Sequence, residues 1–205
     1  VAKGYAVASI NYRLSQHALF PAQIEDCKAA IRWLRANAER YGLDGRRIGV
    51  WGASAGGHLA ALLGTSGDVR ELEGQGGNLS QSSRVQCVVD FFGPTDVTQM
   101  GGRHDAHDSP EAKLLGGPVQ QNKEKAARAN PITYVSQDDP PFLIMHGEED
   151  RVVPINQSEL LDAALRRAGV PCTFVRIPKN GHGGPGFVSP ESRAKIEEFF
   201  AKHLK

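Results

Sequence analysis

The sequence predicts an α/β fold, with a mainly parallel sheet covered by helices on both faces. Three observations point there. Short apolar runs suited to strands buried on both sides alternate with longer stretches of helical periodicity. Glycines stand just past two of the helical stretches, where a chain leaves a helix. The 205 residues, 40% hydrophobic and 23% charged, have the size and balance of one globular domain with its own core.

In chain order, the first strand is expected at residues 5–10 (Tyr5-Ala6-Val7-Ala8-Ser9-Ile10). Over 23–41, Ile24, Cys27, Ile31, Leu34, Ala38 and Tyr41 recur at spacings of three and four, one stripe of a helix, and Gly42 ends it. A turn at Asp44-Gly45 leads to a buried strand at 47–51. A helix at 55–65 and strands at 85–92 and 142–146 follow. Residues 157–168 carry Leu160, Leu161, Ala164, Leu165 and Ala168 at helical spacing before Gly169, and a last strand occupies 173–177. Ser189 caps a final helix with Pro190 at its first position and Ile196, Phe199, Phe200 and Leu204 on its inner face.

Two stretches break the rhythm. Residues 67–84, rich in Gly, Ser and Gln, read as a surface excursion. Residues 93–139 are too long for a simple connection and carry helical signals only at 110–115 and 123–129, the pattern of a lid or cap inserted into a single domain spanning 1–205.

A net charge of +1 gives no reason to expect nucleic acid or an anionic membrane surface as partner. The longest apolar runs fall far short of the roughly 20 residues a membrane-spanning helix needs. Cys27, Cys87 and Cys172 lack metal-ligand spacing and read as buried thiols. The chain starts at Val1 without a visible signal peptide, which leaves cytoplasmic and secreted locations equally open.

The sharpest motif is Gly52-Ala53-Ser54-Ala55-Gly56-Gly57-His58, which follows a strand and opens a helix. A serine at such a turn is pushed out above the sheet, and the closeness of the backbones accounts for the small residues Gly52, Ala53, Ala55 and Gly56. The N–H groups of the following helix point at the same spot, so Ala55 N–H is the expected oxyanion donor. Neither Gly-Lys-Ser/Thr nor Gly-x-Gly-x-x-Gly occurs, which excludes the common phosphate loops.

A serine hydroxyl needs a histidine to take its proton and a carboxylate to orient that histidine. Asp150, in the turn after the 142–146 strand, is the expected acid, with Glu148 and Glu149 as rivals. His182, in Asn180-Gly181-His182-Gly183-Gly184 after the last strand, is the expected base. Of the other six histidines, His58 is expected to pack near the site and His146 to be hydrogen-bonded at its strand end; His104 and His107 belong to the insertion, and His17 and His203 to the surface. No metal site is expected, because His104 and His107 have no partners at ligand spacing.

With Asn11-Tyr12-Arg13-Leu14, Phe20-Pro21-Ala22, Asp26, Asp44, Arg47-Ile48, the elbow, His146-Gly147-x-x-Asp150, Val153-Pro154 and Gly181-His182, the sequence resembles the α/β-hydrolase superfamily over its whole length. It looks closest to bacterial esterases related to hormone-sensitive lipase and to acetyl-xylan or feruloyl esterases. The resemblance implies the triad Ser54, Asp150 and His182, a structural ion pair between Arg13 and Asp26, and no cofactor. Asp96, after the strand that follows the elbow, is a candidate pocket residue or a turn residue. The family also carries a His-Gly-Gly loop supplying a second oxyanion donor, and a strand between the 5–10 strand and the one leading to Ser54. Neither occurs here, so N-terminal strands are expected upstream in the natural protein, and a donor worth about 3 kcal/mol would come from there.

The expected function is hydrolysis of a small acyl ester, sugar-linked acetyl and feruloyl esters included. The alternatives are a peptidase of the prolyl-oligopeptidase kind and a non-catalytic binding module on the same fold.

Overall fold

The computed structural model describes residues 3–67 and 69–205; Val1, Ala2, and Asp68 within the expected excursion, lie outside them. Four parallel strands, β1 (Gly49–Ala53), β2 (Cys87–Phe91), β3 (Phe142–Gly147) and β4 (Cys172–Ile177), form one sheet in sequential order. In register, Gly52 lies beside Asp90, Asp90 beside Ile144, and Ile144 beside Phe174. β2 and β3 are buried along their full length, as central strands covered on both sides must be.

Six helices accompany the strands among the described residues: α1 (Ala22–Ala36), α2 (Ala55–Thr65), α3 (Pro110–Leu115), α4 (Lys123–Ala129), α5 (Asn156–Arg167) and α6 (Pro190–Leu204). Alternation along the strands sends Val88 and Ile144 to one face, against Ile24 and Ile31 of α1, Leu59 and Leu62 of α2, and Leu161 and Leu165 of α5. Val89, Leu143 and Met145 face the other way, onto Ile196, Phe199 and Phe200 of α6. Ser189 caps α6 by accepting from Ser192 N–H, with Pro190 in the first turn.

One expected strand is absent. Residues 5–10 pair with no strand, and Val7 remains 75% exposed. Their apolar character gives strand propensity, but a strand exists only when a neighbour takes its N–H and C=O groups, and no described residue does so. The helix expected over 23–41 stops at Ala36, and a separate 3₁₀ turn, Glu39–Tyr41, leads to Gly42 in the left-handed region.

The excursion is anchored by charge. Lys28 and Arg32 of α1, both fully buried, share the Glu73 carboxylate at 2.8 and 2.5 Å. Residues 93–139 build a small cluster of their own, in which Val97, Leu115, Val119, Ala126 and Ala129 pack with Val153, three residues past Asp150. Cys27 and Cys87 are buried and Cys172 half-buried, all as free thiols.

Candidate active site

The elbow follows from backbone geometry. Ser54 has φ 55 and ψ −122, strained for a residue with a side chain, between the end of β1 and the start of α2. Its N–H donates to Phe91 C=O at 2.9 Å and its C=O accepts from His58 N–H at 2.9 Å, so both neighbours hold the turn. A Cβ on Gly52 would lie 2.0 Å from Gly56 O, and one on Gly57 would lie 2.3 Å from Asp90 Oδ1. A Cβ on Gly56 would meet nothing within 4 Å, so the steric demand expected there falls on Gly57 instead.

The loops after β3 and β4 are joined at Gly147. A side chain there would strike the carbonyl oxygens of Asn180 and Gly181, both at 2.3 Å. Without one, Glu148 N–H donates to Ile177 C=O at 3.1 Å and Glu149 N–H to Asn180 C=O at 2.9 Å. The two crossings bring Asp150 and His182 to the same end of the sheet as Ser54, the carboxyl end, where sites of parallel sheets gather.

There the three side chains meet. His182 Nε2 is 2.8 Å from Ser54 Oγ, and His182 Nδ1 is 2.8 Å from Asp150 Oδ2. A carboxylate only accepts, so the network assigns hydrogen to Nδ1 and leaves the Nε2 lone pair for the hydroxyl proton. Asp150 Oδ1 accepts the N–H groups of Val152 at 2.7 Å and Val153 at 2.9 Å. Its side chain is wholly buried, whereas the rivals Glu148 and Glu149 are exposed.

The other expected site residues have structural partners. His58 is buried with Nε2 2.7 Å from Ala129 O, and burial lowers its pKa. It ties α2 to the end of α4. Asp96 Oδ1 accepts from Thr98 N–H, Thr98 Oγ1 and Asn130 Nδ2, and Oδ2 accepts from Gln99 Nε2. These contacts make Asp96 a turn residue that anchors the insertion, one of the two roles expected for it. His104 pairs with Glu111 at 3.0 Å within the insertion.

Two groups escaped the sequence reading. Phe92, with φ 44, turns its ring against His182 at 4.5 Å between centroids and edge-on to Phe187 at 4.8 Å. An aromatic residue ending an apolar strand looks like ordinary core, and nothing local announces a positive φ. Asp90, wholly buried under α2, accepts from Gly93 N–H at 3.0 Å with Oδ1, while Oδ2 has no partner; burial pushes its pKa up to about 7. It reads in sequence as one charge inside a strand.

A family model described as BD-FAE matches residues 1–165. Esterase LipQ of Mycobacterium tuberculosis (strain ATCC 25618 / H37Rv) is 36% identical over 87% of this chain and 42% of its own length. A truncated carbohydrate esterase from gut microbiota superposes with a TM-score of 0.94 at 38% identity, over 99% of this chain and 75% of that one. The acetyl ester-xyloside bifunctional hydrolase of Caldicellulosiruptor lactoaceticus gives 0.77 at 32% identity, over 94% of this chain and 69% of that one. The chain spans 42% to 46% of the length of the first three curated relatives it matches.

Proposed function

Since the chain belongs to the BD-FAE family, among the α/β-hydrolase esterases and lipases, we propose that it hydrolyses carboxylic esters through an acyl-enzyme on Ser54. The observation that carries this reading is the position of His182, 2.8 Å from both Ser54 Oγ and Asp150 Oδ2. In acylation, Ser54 Oγ attacks the ester carbonyl carbon as its proton passes to His182 Nε2. The carbonyl oxygen gains the negative charge, and Ala55 N–H at the start of α2 faces it. Collapse of the tetrahedral intermediate breaks the bond to the alcohol, which leaves with the proton from His182. Water then repeats the sequence: His182 takes its proton, the hydroxide oxygen adds to the acyl carbon, and Ser54 departs with the proton restored. Asp150 holds the imidazole in the Nδ1–H tautomer throughout.

For the substrate, the small acyl group of a carbohydrate ester, acetyl first and feruloyl second, is the class we favour. Its support is likeness to a carbohydrate esterase from gut microbiota and to an acetyl ester-xyloside bifunctional hydrolase. A fluorophosphonate probe and p-nitrophenyl acetate test the reading in the full chain. The wild type takes the probe on Ser54, Ser54→Ala does not, and His182→Ala loses about 10³-fold or more in kcat. An unlabelled Ser54 with no turnover identifies a binding module instead. Acetylated and feruloylated sugars, compared by kcat/KM, then rank the acyl groups.

A further inference from the structure

Two imidazoles face the Asp150 carboxylate. His146, near the end of β3, has Nε2 3.3 Å from Asp150 Oδ2, the same oxygen that holds His182 Nδ1. That nitrogen is also 3.0 Å from Val153 O, and the other, Nδ1, is 2.7 Å from Ser158 Oγ on α5. A carbonyl and a carboxylate only accept, so Nε2 carries hydrogen. The ring is wholly buried, and burial holds its pKa below the ordinary histidine value against the opposing pull of Val153 and Asp150. A neutral ring with hydrogen on Nε2 leaves Nδ1 to accept, and the Ser158 hydroxyl is its donor.

We propose that His146 is a positioning residue for the acid: Ser158 fixes its Nε2–H tautomer, and that N–H completes the donor set around Asp150. Two backbone N–H groups hold Oδ1; His182 Nδ1 holds Oδ2, and His146 Nε2–H, bonded to Val153 C=O, lies 3.3 Å from that same oxygen, so the carboxylate keeps the orientation in which it meets His182. The proposal rests on the reading of Asp150 and His182 as acid and base. Few other groups face this ring. Beyond Asp150 stands His182; beside it on β4 is Arg176, bound to Glu159 of α5 at 2.6 Å; and the Phe92 ring lies edge-on at 6.2 Å. No charge but that of Asp150 is within hydrogen-bonding reach of Nε2 among the contacts described. The His146 N–H partly offsets the carboxylate's charge as His182 feels it. Without that N–H, Asp150 draws a proton onto the base more strongly, and activity is lost at a higher pH on the acid side.

The test is kinetics of the full chain on p-nitrophenyl acetate from about pH 5 to about pH 9, with ¹⁵N imidazole spectra of the wild type. His146→Phe should lower kcat about tenfold with KM within about twofold, and move the acid limb of kcat/KM up by about half a pH unit. His146→Gln, whose amide N–H can reach the same oxygens, should restore most of both. The spectra should show His146 with hydrogen on Nε2 alone across the range. Wild-type kcat and an unmoved limb in His146→Phe overturn the proposal, as does a ring protonated on Nδ1. If His146→Phe does not fold, His146→Gln and the spectra decide alone. Turnover surviving in Ser54→Ala overturns the reading of Ser54 as nucleophile instead, a separate result that leaves the spectra to decide the tautomer.

Discussion

At the scale of single residues, charge inside the fold is treated in two ways. Asp150 is surrounded by N–H groups, whereas Asp90 has one donor and an oxygen with none. For Asp90 the neutral form is favoured: burial raises its pKa to about 7, above the 3.8 of a free carboxyl. The folded chain then binds a proton that the unfolded chain has released, so stability falls as pH rises from about 4 to about 7. The neutral near-isostere Asp90→Asn removes that slope. Urea unfolding at pH 5 and pH 7.5 should show the wild type losing on the order of 1–3 kcal/mol that the variant keeps. Equal losses in both would mean that Asp90 is already ionised at the lower pH. The site residues differ in how visible they are. Ser54 can be read because glycines and alanines must flank a tight strand-to-helix turn, a short-range demand. Asp150 and His182 can be found only as carboxylate and imidazole in the right order along the chain. His146 is visible as a strand-end histidine four residues before Asp150, but its closeness to that carboxylate is not, and nothing adjacent in the chain marks Phe92.

At the scale of elements, what places the site is the meeting of two loops. Gly147 ends β3 where its backbone touches the loop after β4, and both carbonyl oxygens that a methyl would meet belong to residues 180 and 181, just before His182. Gly147→Ala should separate the acid from the base: a displacement near 1 Å costs about 10²-fold in kcat/KM. A circular-dichroism melt run beside the kinetics should show the sheet still formed, and an unchanged kcat/KM would refute the crossing as the positioning device. The strand expected at 5–10 is instructive at this scale. Its side chains are those of a strand, yet hydrogen bonding to a neighbour defines a strand, and propensity alone cannot supply the neighbour. The helix at 23–41 was overextended for a related reason. The apolar stripe carries on past Ala36, but the backbone turns, and Tyr41 keeps its aromatic contact with Trp33 at 5.7 Å from a separate 3₁₀ turn.

At the scale of the molecule, apolar cores on the two sheet faces and a third within 93–139 enclose the strands and the loop that carries Asp150. The Gly-rich excursion, which composition alone reads as loose surface, is fixed through a buried ionic cluster. Glu73 accepts from Lys28, Arg32 and Ser83, the last at 2.6 Å, and Leu72 beside it is buried in the core. Removing the carboxylate in Glu73→Ala deprives two buried cations of their shared anion and should destabilise the fold by about 3–5 kcal/mol. Chemical denaturation measures this directly, and a loss under about 1 kcal/mol would show that the cluster contributes little. Limited proteolysis should then cut within 67–84 before it cuts elsewhere.

Local sequence was enough for the α/β class, the order of the strands and helices that do form, the turn that raises Ser54, and the short list from which an acid and a base must come. All of these depend on hydrophobic period, glycine and proline chemistry, or chain order, which act over a few residues. Folding in three dimensions decided the rest: that residues 5–10 pair with nothing described, that His58 and Asp96 hold the insertion, that Gly147 lets two loops touch, and that a second imidazole faces Asp150. Such facts depend on which groups lie within about 3 Å of one another, and that distance is set by how loops turn and segments pack, not by the period or composition of the chain.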